Sequence, residues 1–252
     1  MTKVVVFLTI DDAEHIPAEH RAAIVAGYPA HEREARAMGV PMLGSGRVFP
    51  ISEEAITCRP FPLPPFYACI GGLDFGWDHP TAAVKLAWDR DDDIVYVVEC
   101  YREREATPTV HAAEIRPWGG TASYQWLPWA WPHDAHQHDK GSGASLADQY
   151  RREGLRLLAT HATHEAGGFG IEAGIMEMLA RMETGRLKVF AHLKAWFEEF
   201  RLYHRKDGRV VKENDDIMSA TRIGIMSLRF AKPPSVGRRP THRPTNRLEQ
   251  VL

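Results

Sequence analysis

The residues with the clearest potential for chemistry are aspartates that stand beside apolar segments. Asp74 lies within the apolar segment IGGLDFGW, where an ionised carboxylate is costly unless a positive charge meets it. Asp134 directly follows the apolar segment QWLPWAWPH, at a predicted strand end, where open α/β sheets place their sites. Asp215 and Asp216 begin the last predicted helix. Carboxylates that converge from separate elements suit hard cations such as Mg²⁺ or Mn²⁺, and two such ions about 3.5–4 Å apart can activate water and stabilise a leaving oxygen.

Each of these aspartates also has a purely structural explanation. Asp74 can cap the turn before Trp77, because Asp favours turns. Asp134 can be an ordinary loop residue, and Asp215 and Asp216 can simply favour the dipole of the helix that they begin. Taken together, these structural explanations are less convincing, because all four residues lie next to strand ends or helix starts of one predicted mixed α/β sheet and its helices.

A basic group surrounds Asp207-Gly208, a dipeptide typical of a hairpin turn. It predicts a β-hairpin that lies on a DNA backbone just before the aspartate pair, with binding that falls steeply as salt rises. A solvated charged turn is the alternative. The basic group comprises His204, Arg205, Lys206, Arg209 and Lys212.

The segment that follows Asp134 contains histidines and a lysine. His133, His136 and His138 admit a zinc site as an alternative. Their spacing differs from the i, i+4 spacing of zinc-binding helices, and Mg²⁺ prefers oxygen ligands, so carboxylate ligands are favoured. Lys140 is predicted to contact a phosphate.

The elements that must position these residues are predicted from apolar periodicity. Three hairpin-connected strands followed by alternating helices and strands are typical of a mixed α/β sheet flanked by helices. Strands are predicted at 67–76, 81–89, 93–103, 125–133, 155–162 and 186–192. Helices are predicted at 109–116, 145–154, 170–185, 194–205 and 215–230.

The two ends of the chain differ in composition from this central part. Residues 4–10 predict a buried strand and residues 17–38 a polar helix, whereas residues 59–65 are rich in proline and favour an extended linker. We therefore predict an N-terminal fragment at 1–58, a linker at 59–65, a main domain at 66–231 and a disordered basic tail at 232–252.

Composition excludes some classes of protein. The chain has 252 residues and a formal net charge of −2, which excludes a uniformly basic nucleic-acid coat but not a nuclease, because metal-binding carboxylates offset phosphate-binding cations. Cys58, Cys69 and Cys100 fit neither a zinc knuckle nor a disulfide framework. With neither a signal peptide nor an apolar run of about 18 residues, the chain is predicted to stay in the cytoplasm of the host cell, away from membranes.

Three segments resemble the nuclease half of the large terminase subunit of tailed phages, in the same order and at the same spacing. They are GGLDFGWDHPTAAVKLAW, WPHDAHQHDKGSGASLADQYRREG and YHRKDGRVVKENDDIMSATRIGIMS, and the resemblance covers residues 66–231. It implies a ribonuclease-H-like fold and a metal-dependent endonuclease that cuts concatemeric double-stranded phage DNA during packaging. Asp74, Asp134 and the Asp215/Asp216 pair would then be the catalytic ligands of two Mg²⁺ or Mn²⁺ ions.

Residues 9–50 resemble the end of the packaging ATPase domain that precedes this nuclease. Because the chain contains no phosphate-binding loop of the ATPase kind, we expect no ATP hydrolysis from it alone. The resemblance implies the terminase small subunit, the portal and a separate packaging ATPase as partners. Two alternatives remain: a non-catalytic prophage remnant that acts as a binding module, and a resolvase-like nuclease.

Overall fold

A computed structural model describes residues 8–28, 33, 37–38, 46–121, 124–136 and 145–234. Six of the described strands form one mixed sheet, in the order β1-β8-β4-β3-β2-β7. The strands are β1 (Thr57–Cys58), β2 (Ala68–Asp74), β3 (Thr81–Asp89), β4 (Ile94–Glu103), β5 (Gly120–Thr121), β6 (Tyr124–Gln125), β7 (Trp129–Ala130), β8 (Leu187–Phe190), β9 (Arg205–Lys206) and β10 (Arg209–Val210).

The centre of this sheet is an antiparallel meander of the three longest strands. β2 pairs with β3, and β3 with β4, over nearly their whole lengths. The turn between β3 and β4 places Asp93 at φ 51°, a left-handed conformation that Asp tolerates better than most other residues. The three central strands were predicted from sequence, and the mixed α/β class is confirmed.

Helices cover the sheet. The described helices are α1 (Ala18–Gly27), α2 (Glu53–Ile56), α3 (Pro108–Ile115), α4 (Leu146–Arg152), α5 (Ile171–Glu183), α6 (Lys194–Leu202) and α7 (Asp216–Met226). All residues of α7 are buried, because this helix lies on β2 and β3 and also contacts α5 and α6. Its hydrophobic positions therefore form the centre of the core.

A glycine in β2 allows this close approach of α7. A Cβ atom added at Gly72 would lie 2.1 Å from the carbonyl oxygen of Ala220, far inside van der Waals contact. The small residues on both sides thus bring the N-terminal end of α7 to the end of β2, where Asp74 stands.

Of the predicted strands, one is shorter than expected and one is absent. The fourth shrinks to Trp129–Ala130, because Pro128 and Pro132 on either side have no N–H to donate to a ladder. The fifth, at 155–162, is replaced by isolated contacts, such as Leu158 N–H donating to the Trp129 carbonyl at 2.8 Å. Leu8, in the predicted buried N-terminal strand, is 69% exposed and is not part of a strand. Residues 4–7 lie outside the described part.

The sheet includes residues on both sides of the proline-rich segment at 59–65. β1 pairs with β8 in parallel, and Phe49 and Ile56 are fully buried in the main core. Residues 48–58 therefore pack on the same core as residues 66–231. The basic tail beyond residue 234 lies outside the described residues.

Candidate active site

The four predicted aspartates line a single cleft of about 600 Å³. Asp74 ends β2, and the parallel neighbour β7 leads to a short 3₁₀ helix, His133–His136, that contains Asp134. Parallel strands carry their ends to the same sheet edge, so these two side chains meet there. Asp215 and Asp216 reach the same cleft from the start of α7.

The aspartates differ in exposure. Asp216 is 7% exposed, Asp74 and Asp215 are half-buried, and Asp134 is exposed. Burial raises the pKa of Asp74 to about 8; the Arg222 guanidinium opposes this rise, and the other three aspartates add to it. Burial also raises the pKa of Asp215 and of Asp216. The cleft therefore concentrates negative charge that water solvates poorly.

The same carboxylates are not arranged as a finished metal site. Within the described parts of the chain, no three His, Cys, Asp or Glu side chains are grouped closely enough to hold an ion. The four carboxylates line one cleft but do not converge on one position, so a cation bound by all of them would require their side chains to move closer together.

The start of α7 is capped by a residue from another helix. Glu199 of α6, fully buried, accepts hydrogen bonds from the backbone N–H groups of Ile217 at 2.6 Å and Met218 at 3.2 Å. Its other oxygen accepts from Arg102 at 2.7 Å. Asp215 makes no capping hydrogen bond with its side chain. Its carboxylate is thus not committed to capping the helix.

The predicted basic hairpin is present, and its cations occupy different positions. β9 and β10 pair around Asp207 and Gly208, both at positive φ. Arg209 and Lys212 line the cleft. Arg205 instead pairs with Glu172 of α5, at 2.8 Å between Nη1 and Oε1.

The remaining predicted phosphate contacts are Lys206 and Lys140. Lys206 is exposed and does not line the cleft. Lys140 and His138 lie outside the described residues. His133 stacks on Phe169, with ring centroids 4.4 Å apart, on the wall of the cleft.

Sequence reasoning missed three kinds of residue in this site. His79, which follows β2, lines the cleft near Asp215 and Asp216. Arg222, a lone cation in the apolar stretch of α7, lines its floor, and that isolation was the signal that could have found it. Glu199 sits among charged neighbours in the sequence, and no local pattern distinguishes it.

The strand order, the central antiparallel meander and the carboxylates at one sheet edge define a ribonuclease-H-like nuclease domain. Residues 71–228 match the family model described as "Terminase RNaseH-like domain", and residues 1–56 match "Terminase large subunit, T4likevirus-type, N-terminal". The chain belongs to the RNase-H-like terminase nuclease family.

Individual relatives agree with this assignment. The large terminase subunit of Salmonella phage P22 is 47% identical over 230 residues, which are 90% of this chain and 45% of that protein. The large terminase subunit of Enterobacteria phage LP7 is 47% identical over 224 residues, which are 88% of this chain and 46% of that one. This chain thus spans less than half the length of these relatives.

Solved structures support the fold. The nuclease domain of the P22 large terminase aligns with a TM-score of 0.69 and 44% identity, over 75% of this chain and 95% of that domain. A large terminase from a thermophilic bacteriophage aligns with a TM-score of 0.57 over 88% of this chain and 55% of that one. At 16% identity, the second match shows the fold alone. Among the described helices, none combines the length and apolarity needed to cross a membrane.

Proposed function

We propose that this chain is a metal-dependent endonuclease that cuts concatemeric double-stranded phage DNA during genome packaging. The observation that carries the proposal is the cleft lined by Asp74, Asp134, Asp215 and Asp216, in a chain of the terminase nuclease family. Two Mg²⁺ or Mn²⁺ ions would be held by these four residues.

The donors in the cleft fit such ions. The carboxylates crowd negative charge into a partly buried space, and burial raises the pKa of Asp74 to about 8, so a divalent cation would relieve both desolvation and repulsion. Hard oxygen donors are what Mg²⁺ and Mn²⁺ prefer. When bound, such ions lower the pKa of water and offset charge on the departing oxygen of a phosphodiester.

The chain's own residues would position the DNA around that centre. Arg209 and Lys212, on the wall of the cleft, attract the phosphate backbone. Glu199 holds the first turn of α7 in place, and with it Asp216. The exposed carboxylate of Asp134 has the freedom to close on a cation. Double-stranded DNA is the proposed substrate, and the terminase small subunit, the portal and a separate packaging ATPase are the proposed partners.

A plasmid-nicking assay with Mn²⁺ tests the proposal. Asp74→Asn removes one ligand charge and should lower the cleavage rate by more than about 100-fold, since even outer-shell partners of metal ligands cost up to that much. Asp78→Asn is the matched control, because Asp78 is an exposed aspartate four residues on that does not line the cleft. Calorimetric titration with Mn²⁺ should show uptake by the wild type and by Asp78→Asn.

Three results would contradict the proposal in different ways. Equal cleavage by Asp74→Asn and the wild type would remove Asp74 from the metal site. A folded wild type that takes up no Mn²⁺ would indicate a binding module instead of an enzyme. Selective cutting of branched over linear DNA would indicate a resolvase-like nuclease.

A further inference from the structure

The floor of the cleft contains a buried arginine that the carboxylate site does not explain. Arg222 lies in α7 and is 9% exposed, yet its side chain lines the cleft. α5 packs directly on the aliphatic stem: a Cβ added at Gly174 would lie 2.6 Å from Arg222 Cγ. Two packed helices therefore fix the stem of this side chain.

The charged end of Arg222 lacks strong partners. Its Nε is buried and has no hydrogen-bond partner in the part of the chain that the structure describes. Nη1 donates to Met226 Sδ at 3.7 Å, and thioether sulfur is a weak acceptor. Burying a guanidinium without good acceptors is costly, so an anion that enters the cleft would stabilise this side chain.

The neighbouring aspartates do not supply that acceptor. Asp74 lies close enough for Arg222 to lower its pKa, but none of the ion pairs formed among the described residues involves Arg222. The guanidinium thus lines the same cleft as the carboxylates and forms no ion pair with any of the described residues.

We propose that Arg222 binds a non-bridging oxygen of the DNA phosphodiester that enters the cleft. This inference rests on the proposed nuclease function. A planar guanidinium presents N–H donors that match phosphate oxygens, and the terminal Nη groups, not the buried Nε, would make this contact from the cleft wall. Arg222 lines the same cleft as the carboxylates that would hold the cations, so the phosphate contacted would be the one to be cleaved. Arg222 would thereby stabilise the charge that builds on phosphorus oxygens as the bond breaks.

The competing explanation is that Arg222 only holds α7 and its aspartates in place. The affinity for a divalent metal ion distinguishes this structural role from phosphate binding. Removal of a cation next to the carboxylates increases their attraction for a divalent cation but weakens the attraction of the cleft for a phosphate. A structural role predicts that both weaken. The variant is Arg222→Met, and the matched control is Arg181→Met, since Arg181 is a similarly buried arginine of α5 that pairs with Asp93 and does not line the cleft.

Two measurements on the full chain decide the question. Calorimetry with Mn²⁺ in the absence of DNA should give Arg222→Met an affinity equal to or higher than that of the wild type. Cleavage of saturating plasmid DNA should fall by about 100-fold, as for loss of one donor to a developing oxyanion. Arg181→Met should match the wild type in both measurements.

The opposite results overturn the inference. Weaker Mn²⁺ binding by Arg222→Met would assign Arg222 a structural role, and cleavage within about threefold of the Arg181→Met rate would remove it from the reaction. If Arg222→Met does not fold, Arg222→Lys replaces it: because lysine keeps the charge but lacks the planar guanidinium, Mn²⁺ affinity should match that of the wild type while cleavage still falls, and unchanged cleavage would overturn the inference. A wild type that neither binds Mn²⁺ nor cleaves DNA would refute the proposed nuclease function itself, which is a different outcome.

Discussion

At the residue scale, the cations near the cleft fall into two groups. Arg209 and Lys212 face the space between the aspartates and the hairpin, whereas Arg205 is already paired with Glu172. Lys206 is not part of the cleft wall. Only cations that are free to exchange solvent ions for phosphate contribute to the salt dependence of DNA binding.

This division predicts unequal effects on DNA binding. Arg209→Ala and Lys212→Ala should each reduce the slope of log affinity against log salt by about one. Lys206→Ala is the matched control and should change the slope by less. Filter binding or anisotropy over a range of salt concentrations, in Ca²⁺ or EDTA to prevent cleavage, measures the slopes. An equal loss for Lys206→Ala would place the DNA on the outer face of the hairpin.

Sequence reasoning selected the residues of the site unevenly. The aspartates were found because a carboxylate beside an apolar segment is conspicuous, and all four line one cleft. Arg222 was missed although its isolation in an apolar helix is a local signal. Glu199 was missed because its role depends on a partner in another helix: Glu199 meets Ile217 only after α6 packs on α7. No local spacing encodes such a contact.

At the element scale, the start of α7 depends on α6 as much as on its own sequence. Glu199 occupies the position that a capping side chain would normally take, and Trp196 adds a second buried link by donating to Thr221 Oγ1 at 3.0 Å. The first backbone N–H groups of a helix have no partner within the helix. Glu199 supplies that partner, so the Asp215 side chain does not act as the cap.

The cap leads to a prediction about both stability and metal binding. Glu199→Ala leaves the N–H groups of Ile217 and Met218 without an acceptor and removes the shorter of the two carboxylate contacts of Arg102, at a cost of about 3–5 kcal/mol. Mn²⁺ affinity should also fall, because Asp216 loses its support. Urea unfolding and calorimetry measure the two effects.

The adjacent residue provides the control for this prediction. Glu198 contacts the same Arg102 at 3.4 Å, but its side chain is 57% exposed, so Glu198→Ala should cost at most about 1 kcal/mol and leave Mn²⁺ affinity unchanged. Should Glu199→Ala unfold with the wild-type midpoint, the cap would contribute nothing to the stability of α7.

Prediction of the strands succeeded for the three central strands and failed where prolines or irregular backbone contacts interrupt an apolar segment. The strands β2, β3 and β4 carry seven or more residues each, and the hydrophobic pattern over such lengths is unambiguous. The apolar segments at 125–133 and 155–162 have suitable composition, but prolines and irregular hydrogen bonds limit their pairing.

At the scale of the whole molecule, the proline-rich segment at 59–65 does not separate two independent cores. Phe49 stacks on Phe200 of α6 with ring centroids 6.0 Å apart, and β1 extends the main sheet. The domain boundary predicted at residue 58 remains a prediction. In the structure, residues 48–58 pack on the nuclease core.

Two shortened chains test the energetic part of this statement. A chain that begins at residue 59 should be at least about 3 kcal/mol less stable than one that begins at residue 46, because it loses two fully buried side chains, Phe49 and Ile56, each contributing about 1.5–3 kcal/mol. Urea midpoints of both chains measure the difference. Identical midpoints would show that residues 46–58 are dispensable for folding.

The burial of α7 has a consequence for how the proposed cutting could be switched on and off. A helix packed on a sheet and on two other helices exchanges its amide hydrogens only through large openings, so the backbone that carries Asp216 and Arg222 keeps one position while the domain stays folded. Control of the proposed cleavage would instead come from the solvent-facing sides of the cleft, where Asp134, Phe169 and the hairpin cations lie. Under the proposed function, the α7 backbone is the fixed part of the site, and access to the cleft is the variable that packaging partners would control.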